Sequence, residues 1–242
     1  MLKAAWKNFI NLIFPLTCLS CKVRLEPLSQ LPICAVCWSK IEFNQPPFCR
    51  RCGKGLPAKT QSLALICQDC QQGHYFFRQA RSVCAYAGII KECIHLFKYQ
   101  GKLALAQPLG KLMADFAGRC LDMESIDLII PVPLHRAKYR QRQFNQAELL
   151  GQALAKNFSK EMSAAVLVKI KSTPAQVNLS RIERLKNIQG AFKIKNAQLI
   201  KNKRLLLIDD VLTSGATINE CARILLEAGA NRVDIFTLAR GV

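Results

Sequence analysis

The spacing of apolar residues changes character twice along the chain. In residues 1–16, Trp6, Phe9, Ile10, Ile13 and Phe14 recur at i, i+3, i+4, i+7 and i+8, the one-sided stripe of an amphipathic helix. From residue 17 to about 78 no period persists. Prolines at 27, 32, 46, 47 and 57 interrupt the segment, and a region so poor in core residues needs a staple. Beyond it, short apolar runs alternate with helical patterns. Ser82–Ala87, Asp127–Pro133, Ala165–Ile170, Leu205–Ile208 and Val233–Leu238 read as strands. Ile89–Tyr99, Leu103–Leu121, Asn145–Asn157 and Ala216–Ala228 read as helices. Buried strand runs separated by helices predict an α/β fold with a parallel sheet and flanking helices. The expected division is an N-terminal helix over 1–16, a small cysteine-rich unit over 17–78 and an α/β domain over 79–242.

Composition narrows the class. Half of the 242 residues are hydrophobic and 21% are charged, which excludes a largely disordered chain. The net charge of +19 calls for anionic partners: nucleic acid, phosphorylated metabolites or an anionic membrane surface. That charge is uneven, with 16 basic against 3 acidic side chains in residues 131–204 and an acidic excess from 205 onward. The N-terminal stripe, with Lys3 and Lys7 beside it, fits a helix docked on its own domain better than one lying on a membrane surface. It is too short to span a bilayer. Interrupted by Asn8, Asn11 and Pro15, it also makes a poor signal peptide, so a reducing, cytoplasmic setting is expected.

Eight of the twelve cysteines form four C-x-x-C pairs: Cys18/Cys21, Cys34/Cys37, Cys49/Cys52 and Cys67/Cys70. Two residues between cysteines let both thiolates turn onto one metal ion, and two such knuckles complete a tetrahedral zinc site. Taken in order, the pairs give two zinc ribbons, each holding one structural Zn2+; an interleaved pairing also fits the spacing. Loss of a ribbon is expected to leave the α/β core standing. Phe48, Tyr75, Phe76 and Phe77 near the knuckles are candidates for stacking on bases, with ribbon packing claiming at least half of them.

The sharpest motif follows Leu205–Ile208. Asp209 and Asp210 lead through Val211 and Leu212 into Thr213, Ser214, Gly215, Ala216 and Thr217 at the start of a helix. The loop's backbone N–H groups, its hydroxyls and the positive end of the helix dipole suit a phosphate monoester. The two carboxylates, expected in an exposed loop past the strand's end, suit the vicinal hydroxyls of a sugar and a water-bridged Mg2+. Upstream, His135, Arg136, Lys138, Arg140 and Arg142 follow the 127–133 strand, the density of charge that a pyrophosphate needs. Lys98 offers either a further phosphate contact or a helix-end charge.

The Asp209–Thr217 motif resembles the phosphoribosyl-pyrophosphate (PRPP) signature of type I phosphoribosyltransferases. The chain as a whole resembles the competence protein ComF family, also called ComF/GntX. The match rests on the cysteine-rich N-terminus, Pro131–Arg136, Arg142–Gln146, Gln176–Arg181, Asn187–Phe192 and the signature itself. Lys138 and Gln141 depart from the arginines common in relatives. The resemblance implies a phosphoribosyltransferase-like domain behind a double zinc ribbon, a Mg2+–PRPP site and a mobile flap over 171–193. It also implies a role in DNA uptake during natural transformation, with single-stranded DNA and other uptake proteins as partners. The alternative it leaves open is a non-catalytic DNA-handling factor whose PRPP site is regulatory or vestigial.

Overall fold

A computed structural model of the chain describes residues 16–26, 29, 31–57, 65–172 and 187–241. The expected N-terminal helix, Gln176–Arg181 and most of the expected flap lie outside those residues.

Four parallel strands form the central sheet: β1 (Ala80–Ala85), β2 (Leu128–Pro131), β5 (Arg204–Leu212) and β6 (Arg232–Arg240), in spatial order β1-β6-β5-β2. Leu205, Leu206, Leu207 and Ile208 have no exposed surface, as expected of strands covered on both faces. One face packs against helices α3 (Gly88–Tyr99), α4 (Ala106–Cys120) and α6 (Gln146–Asn157), with Phe97, Leu109, Met113 and Leu150 at its centre. The other packs against α7 (Ala216–Glu227) through Ile218, Cys221 and Leu225. Asn145 caps α6: its side chain accepts from Ala147 N at 3.1 Å and donates to Val132 O at 3.0 Å, tying the helix to the end of β2.

Two features depart from the expected elements. The 165–170 run does not join the main sheet. It forms β3 (Leu167–Lys169), antiparallel to β4 (Phe192–Ile194), a small hood whose two strands are each three residues long. Residues 136–142, the basic run after the 127–133 strand for which no element is expected, form helix α5 (Arg136–Arg142). His135 is its N-cap, Nδ1 accepting from Ala137 N at 3.3 Å.

Both sheet edges are covered. At β2, Ile129 bonds to Glu161 O and Ser163 N. At β1, the ribbon segment 42–44 pairs antiparallel: Asn44 N donates to Val83 O and Ala85 N to Glu42 O, each at 2.9 Å. The cysteine-rich unit therefore closes an edge that would otherwise be a template for aggregation. It also shares the core, because Cys18, Ile33, Cys37 and Ile41 belong to the same buried cluster as Val83, Cys84, Cys93 and Phe97. The packing thus does not support the expectation that the α/β core stands unaltered without the first ribbon. Among the described residues no helix is long and apolar enough to cross a membrane.

Candidate functional site

The cysteine pairs assemble in sequential order. The sulfur atoms of Cys18, Cys21, Cys34 and Cys37 lie within 4.8 Å of one another, and so do those of Cys49, Cys52, Cys67 and Cys70, which removes the interleaved alternative. Short helices α1 (Ala35–Trp38) and α2 (Gln68–Gln72) present the second pair of each set. Cys34 N donates to Cys18 Sγ and Cys67 N to Cys49 Sγ, each at 3.3 Å, the N–H···S bonds that favour thiolates. The Cys21–Cys34 and Cys52–Cys67 sulfur separations are both 3.6 Å. That is far beyond a disulfide and close to the edge of about 3.8 Å in a tetrahedron with Zn–S bonds of about 2.3 Å. The donor sets fit zinc. Gly53 carries φ +70° in the third knuckle, and a Cβ there would lie 2.7 Å from Ala80 O, so only glycine allows the ribbon to sit this close to β1.

The acid pair is not in an exposed loop. Strand β5 continues four residues beyond Ile208, pairing Asp209 with Thr237 and Leu212 with Arg240, so both carboxylates stand inside the strand. The pleat separates them. Asp210, 6% exposed, points toward α3, where Lys98 Nζ lies 2.7 Å from its Oδ2. Asp209 lies within electrostatic reach of Lys169 on β3 and Cys221 on α7. Burial, and then the neighbouring Asp210 carboxylate, push Asp209 up to about 7, while Lys98 and the backbone N–H of Asp210 pull the other way. Burial opposes charge on Lys98 as well, but attraction to Asp210 outweighs it and raises its pKa.

Beyond the acids, Thr213 and Ser214 turn the chain into α7. Gly215 occupies the N-cap with φ +78°, and Ala216 N donates only a long bond, 3.4 Å, to Ser214 Oγ. A small pocket of about 30 Å3 is lined by Asp209, Val211, Leu212, Thr213, Ser214, Gly215, Ala216, Thr217 and Ile218. A much larger cleft of about 490 Å3 lies beside it, between α5 and the hood, with Pro133, His135, Arg136, Tyr139, Leu167, Lys169 and Lys195 in its walls. The phosphate-sized pocket and the ligand-sized cleft are separate, and Lys169 links them: it lines the cleft and feels Asp209.

The basic residues divide. His135 and Arg136 line the large cleft. Arg140 is exposed on the outer face of α5. Arg142 turns away, lying 5.1 Å from the centre of the Tyr99 ring and donating to Gln146 Oε1 at 3.1 Å, in a cleft it shares with Lys98. Lys138 stands between the groups. Burial, and then the charges of Arg142 and Lys98, push its ammonium below the ordinary value. Burial and Lys138 do the same to Lys169. Sequence reasoning passed over Lys169, whose signal was a cation within the apolar run Val166–Ile170. It also understated Lys138, which is central to the cluster.

Of the stacking candidates, Phe77 is buried, with its ring 5.3 Å from that of Tyr75, and Phe48 lies under Arg81. Phe76 is exposed, as are Tyr99 and Tyr139, which the sequence did not single out.

Comparison with known proteins agrees with this geometry. Residues 9–71 match a double zinc ribbon domain and residues 145–241 a phosphoribosyl transferase domain. The chain is 30% identical over 232 residues to the DNA utilization protein YhgH of Salmonella typhimurium, covering 95% of this chain and 99% of that one. It is 27% identical to competence protein F of Haemophilus influenzae, over 96% and 99% of the two chains. It is 30% identical to competence protein ComFC of Bacillus subtilis, over 86% and 84%. With two four-cysteine ribbons closing the edge of a phosphoribosyltransferase-like parallel sheet, the chain belongs to the competence protein ComF family.

Proposed function

We propose that this protein binds Mg2+–PRPP, or a closely related phosphorylated sugar, at the Asp209–Thr217 segment and serves DNA handling in the cell. The observation that carries the reading is the placement of the acid pair at the edge of a cluster of cations. Lys98 is paired with Asp210, Lys169 is within electrostatic reach of Asp209, and Lys138 lies within reach of both lysines and of Arg142. Lys138 and Lys169, held below their ordinary pKa first by burial and then by neighbouring positive charge, gain most from an anion of high charge density, which a pyrophosphate is. The 5′-phosphate would occupy the pocket at the N-terminus of α7, where Gly215 lets the backbone approach.

In this reading Asp209 faces the ribose, Asp210 holds Lys98 in place, and the cations receive the pyrophosphate. Mg2+, when bound, would supply charge neutralisation between the pyrophosphate and the acids. Asp209, near neutrality in its titration, gives up its proton as the complex forms. Should the bond at C1 break, the pyrophosphate leaves with the bonding electron pair and the Asp209 side chain faces the positive charge that develops on the sugar. Positioning and charge stabilisation would then be the whole of the protein's contribution. The large cleft beside Lys169 is the space available for an acceptor.

A specific observation favours a second role on the same molecule. The +19 charge and the exposed rings of Phe76, Tyr99 and Tyr139 suit single-stranded DNA, and relatives carry the names competence protein and DNA utilization protein. Eight thiolates gathered into two zinc-type clusters suit a reducing cytoplasm. Pyrophosphate release from PRPP with Mg2+, measured with and without single-stranded DNA, separates an enzyme from a binding protein.

A further inference from the structure

The second four-cysteine cluster meets the chain beside the phosphate loop through the Arg240 side chain. The residues just after the cluster are held to α7 by Asn219, which accepts from Phe76 N and donates to His74 O. Arg240 ends β6, and its backbone is locked between β1 and β5, in register with Ala85 and Leu212. The residue after Leu212 is Thr213, and the residue after Arg240 is Gly241, whose N–H donates to Leu212 O at 2.8 Å. A Cβ on Gly241 would come within 3.4 Å of Thr213 Cγ2, so the chain end lies directly against the first loop residue. From this position the Arg240 guanidinium reaches back into the ribbon. Nη1 donates to Cys52 O at 2.7 Å, and Nη2 lies 3.5 Å from Cys52 Sγ. Nε is buried without a partner, and no carboxylate among the described residues pairs with the charge.

A partly buried guanidinium requires a counter-charge. The group facing it is a set of four thiolates, which around Zn2+ carries a net charge of −2. At the first cluster the neighbouring polar contact is of another kind, Ser20 Oγ donating to Glu92 Oε2 at 2.6 Å. We propose that the metal-loaded second cluster is the counter-ion of Arg240, and that this pair fixes the turn from β5 into the phosphate loop. Arg240 is thus a positioning residue: it touches neither ligand, and it transmits the state of Cys49, Cys52, Cys67 and Cys70 to Thr213–Thr217. Loss of zinc, with the four freed thiolates taking up protons from solvent to become thiols, removes the negative charge, leaves the guanidinium uncompensated and loosens the loop. The inference rests on zinc occupying the second ribbon, not on what the phosphate loop binds.

The test uses the full chain, elemental zinc analysis, zinc release to the chelator 4-(2-pyridylazo)resorcinol, and hydrogen–deuterium exchange. Arg240→Met should release one of its two zinc ions at least ten-fold faster than wild type, and Arg240→Lys should lie between them. Peptides over 211–218 should exchange faster in Arg240→Met, and equally in Cys67→Ser, which disables the second cluster with Arg240 intact. In Cys18→Ser, which disables the first, they should stay near the wild-type rate. Two zinc ions released at the wild-type rate from Arg240→Met, or unchanged exchange over 211–218 in Cys67→Ser, would overturn the coupling while leaving the ribbons in place. Fewer than two zinc ions in freshly reduced wild type would overturn the double-ribbon assignment itself, and the coupling with it.

Discussion

Lys98 Nζ lies 2.7 Å from Asp210 Oδ2, with both side chains largely withdrawn from solvent. Helix α3 thereby fixes one member of the acid pair from outside the Thr213–Thr217 loop. Removing one partner of a buried ion pair leaves the other uncompensated, at a cost of about 3–5 kcal/mol. Lys98→Met should therefore lower stability by that order in urea unfolding. Combining it with Asp210→Asn should recover much of the loss, because no charge is then stranded. A double variant no more stable than Lys98→Met would show that the pair does not exist in solution.

The same pair changes what an acid-pair variant reports. Read from sequence alone, Asp209→Asn with Asp210→Asn looks like a change confined to an exposed loop. In the fold it strands Lys98 and is expected to be destabilising. Asp209→Asn by itself is the cleaner probe, since among the described residues the cation nearest the acid pair, Lys98, is bonded to Asp210 instead.

Asp209 makes stability depend on pH in a stated direction. Its folded pKa, about 7, lies above the unfolded value of about 3.9, so the fold prefers the protonated form. Its contribution is fully present below pH 4 and is lost as pH rises through 7. Asp209→Asn should consequently melt higher than wild type at pH 8 by at least a few degrees, with the difference vanishing near pH 4. An equal difference at both pH values would place the titration elsewhere.

Gly215 tests backbone conformation apart from space. A Cβ there would meet nothing closer than Leu212 Cδ1 at 3.7 Å, so the obstacle to alanine is the φ of +78°. Gly215→Ala should cost about 1–2 kcal/mol in thermal unfolding through left-handed strain. It should also weaken phosphate binding. A neutral substitution would mean that the loop relaxes freely in solution.

Single-stranded DNA binding should fall steeply with salt, because its affinity comes from releasing counterions, with a log–log slope of about −0.7 for each phosphate neutralised. Tyr99→Ala and Tyr139→Ala should weaken binding at fixed salt without altering that slope, since stacking carries no counterion term. Binding indifferent to salt would contradict the electrostatic account.

Much of this was legible in the sequence where local chemistry decides the structure. The two four-cysteine sets and the strand-to-helix course of Leu205–Thr217 each follow from a few neighbouring residues. The order of the cysteine pairs and the run of the strand through Asp209 and Asp210 to Leu212 do not. The helix expected over 145–157 was legible too, with Asn145 serving as its cap rather than its first turn. What escaped was set by distant packing. Strand β4 has three residues, too few for alternation to register, and β3 looked like a sheet strand because its apolar run carries no sign of its partner's direction. Lys98 looked like a helix-end charge because the carboxylate that claims it lies 112 positions away. Arg240 carried no signal at all, since the ribbon it touches is 188 residues upstream.

The central claim is that Asp209–Thr217 is a working site for a magnesium-complexed phosphoribosyl ligand. Titration calorimetry of PRPP into freshly reduced protein, with Mg2+ and with excess chelator, tests it most directly. The account predicts binding at least ten-fold tighter with Mg2+, about 1.4 kcal/mol or more. Affinity should rise with pH through 7 as Asp209 releases its proton, and Asp209→Asn should lose both dependences. Wild type that binds PRPP no better with Mg2+ than without it, or an Asp209→Asn variant that binds as wild type does, would contradict the claim.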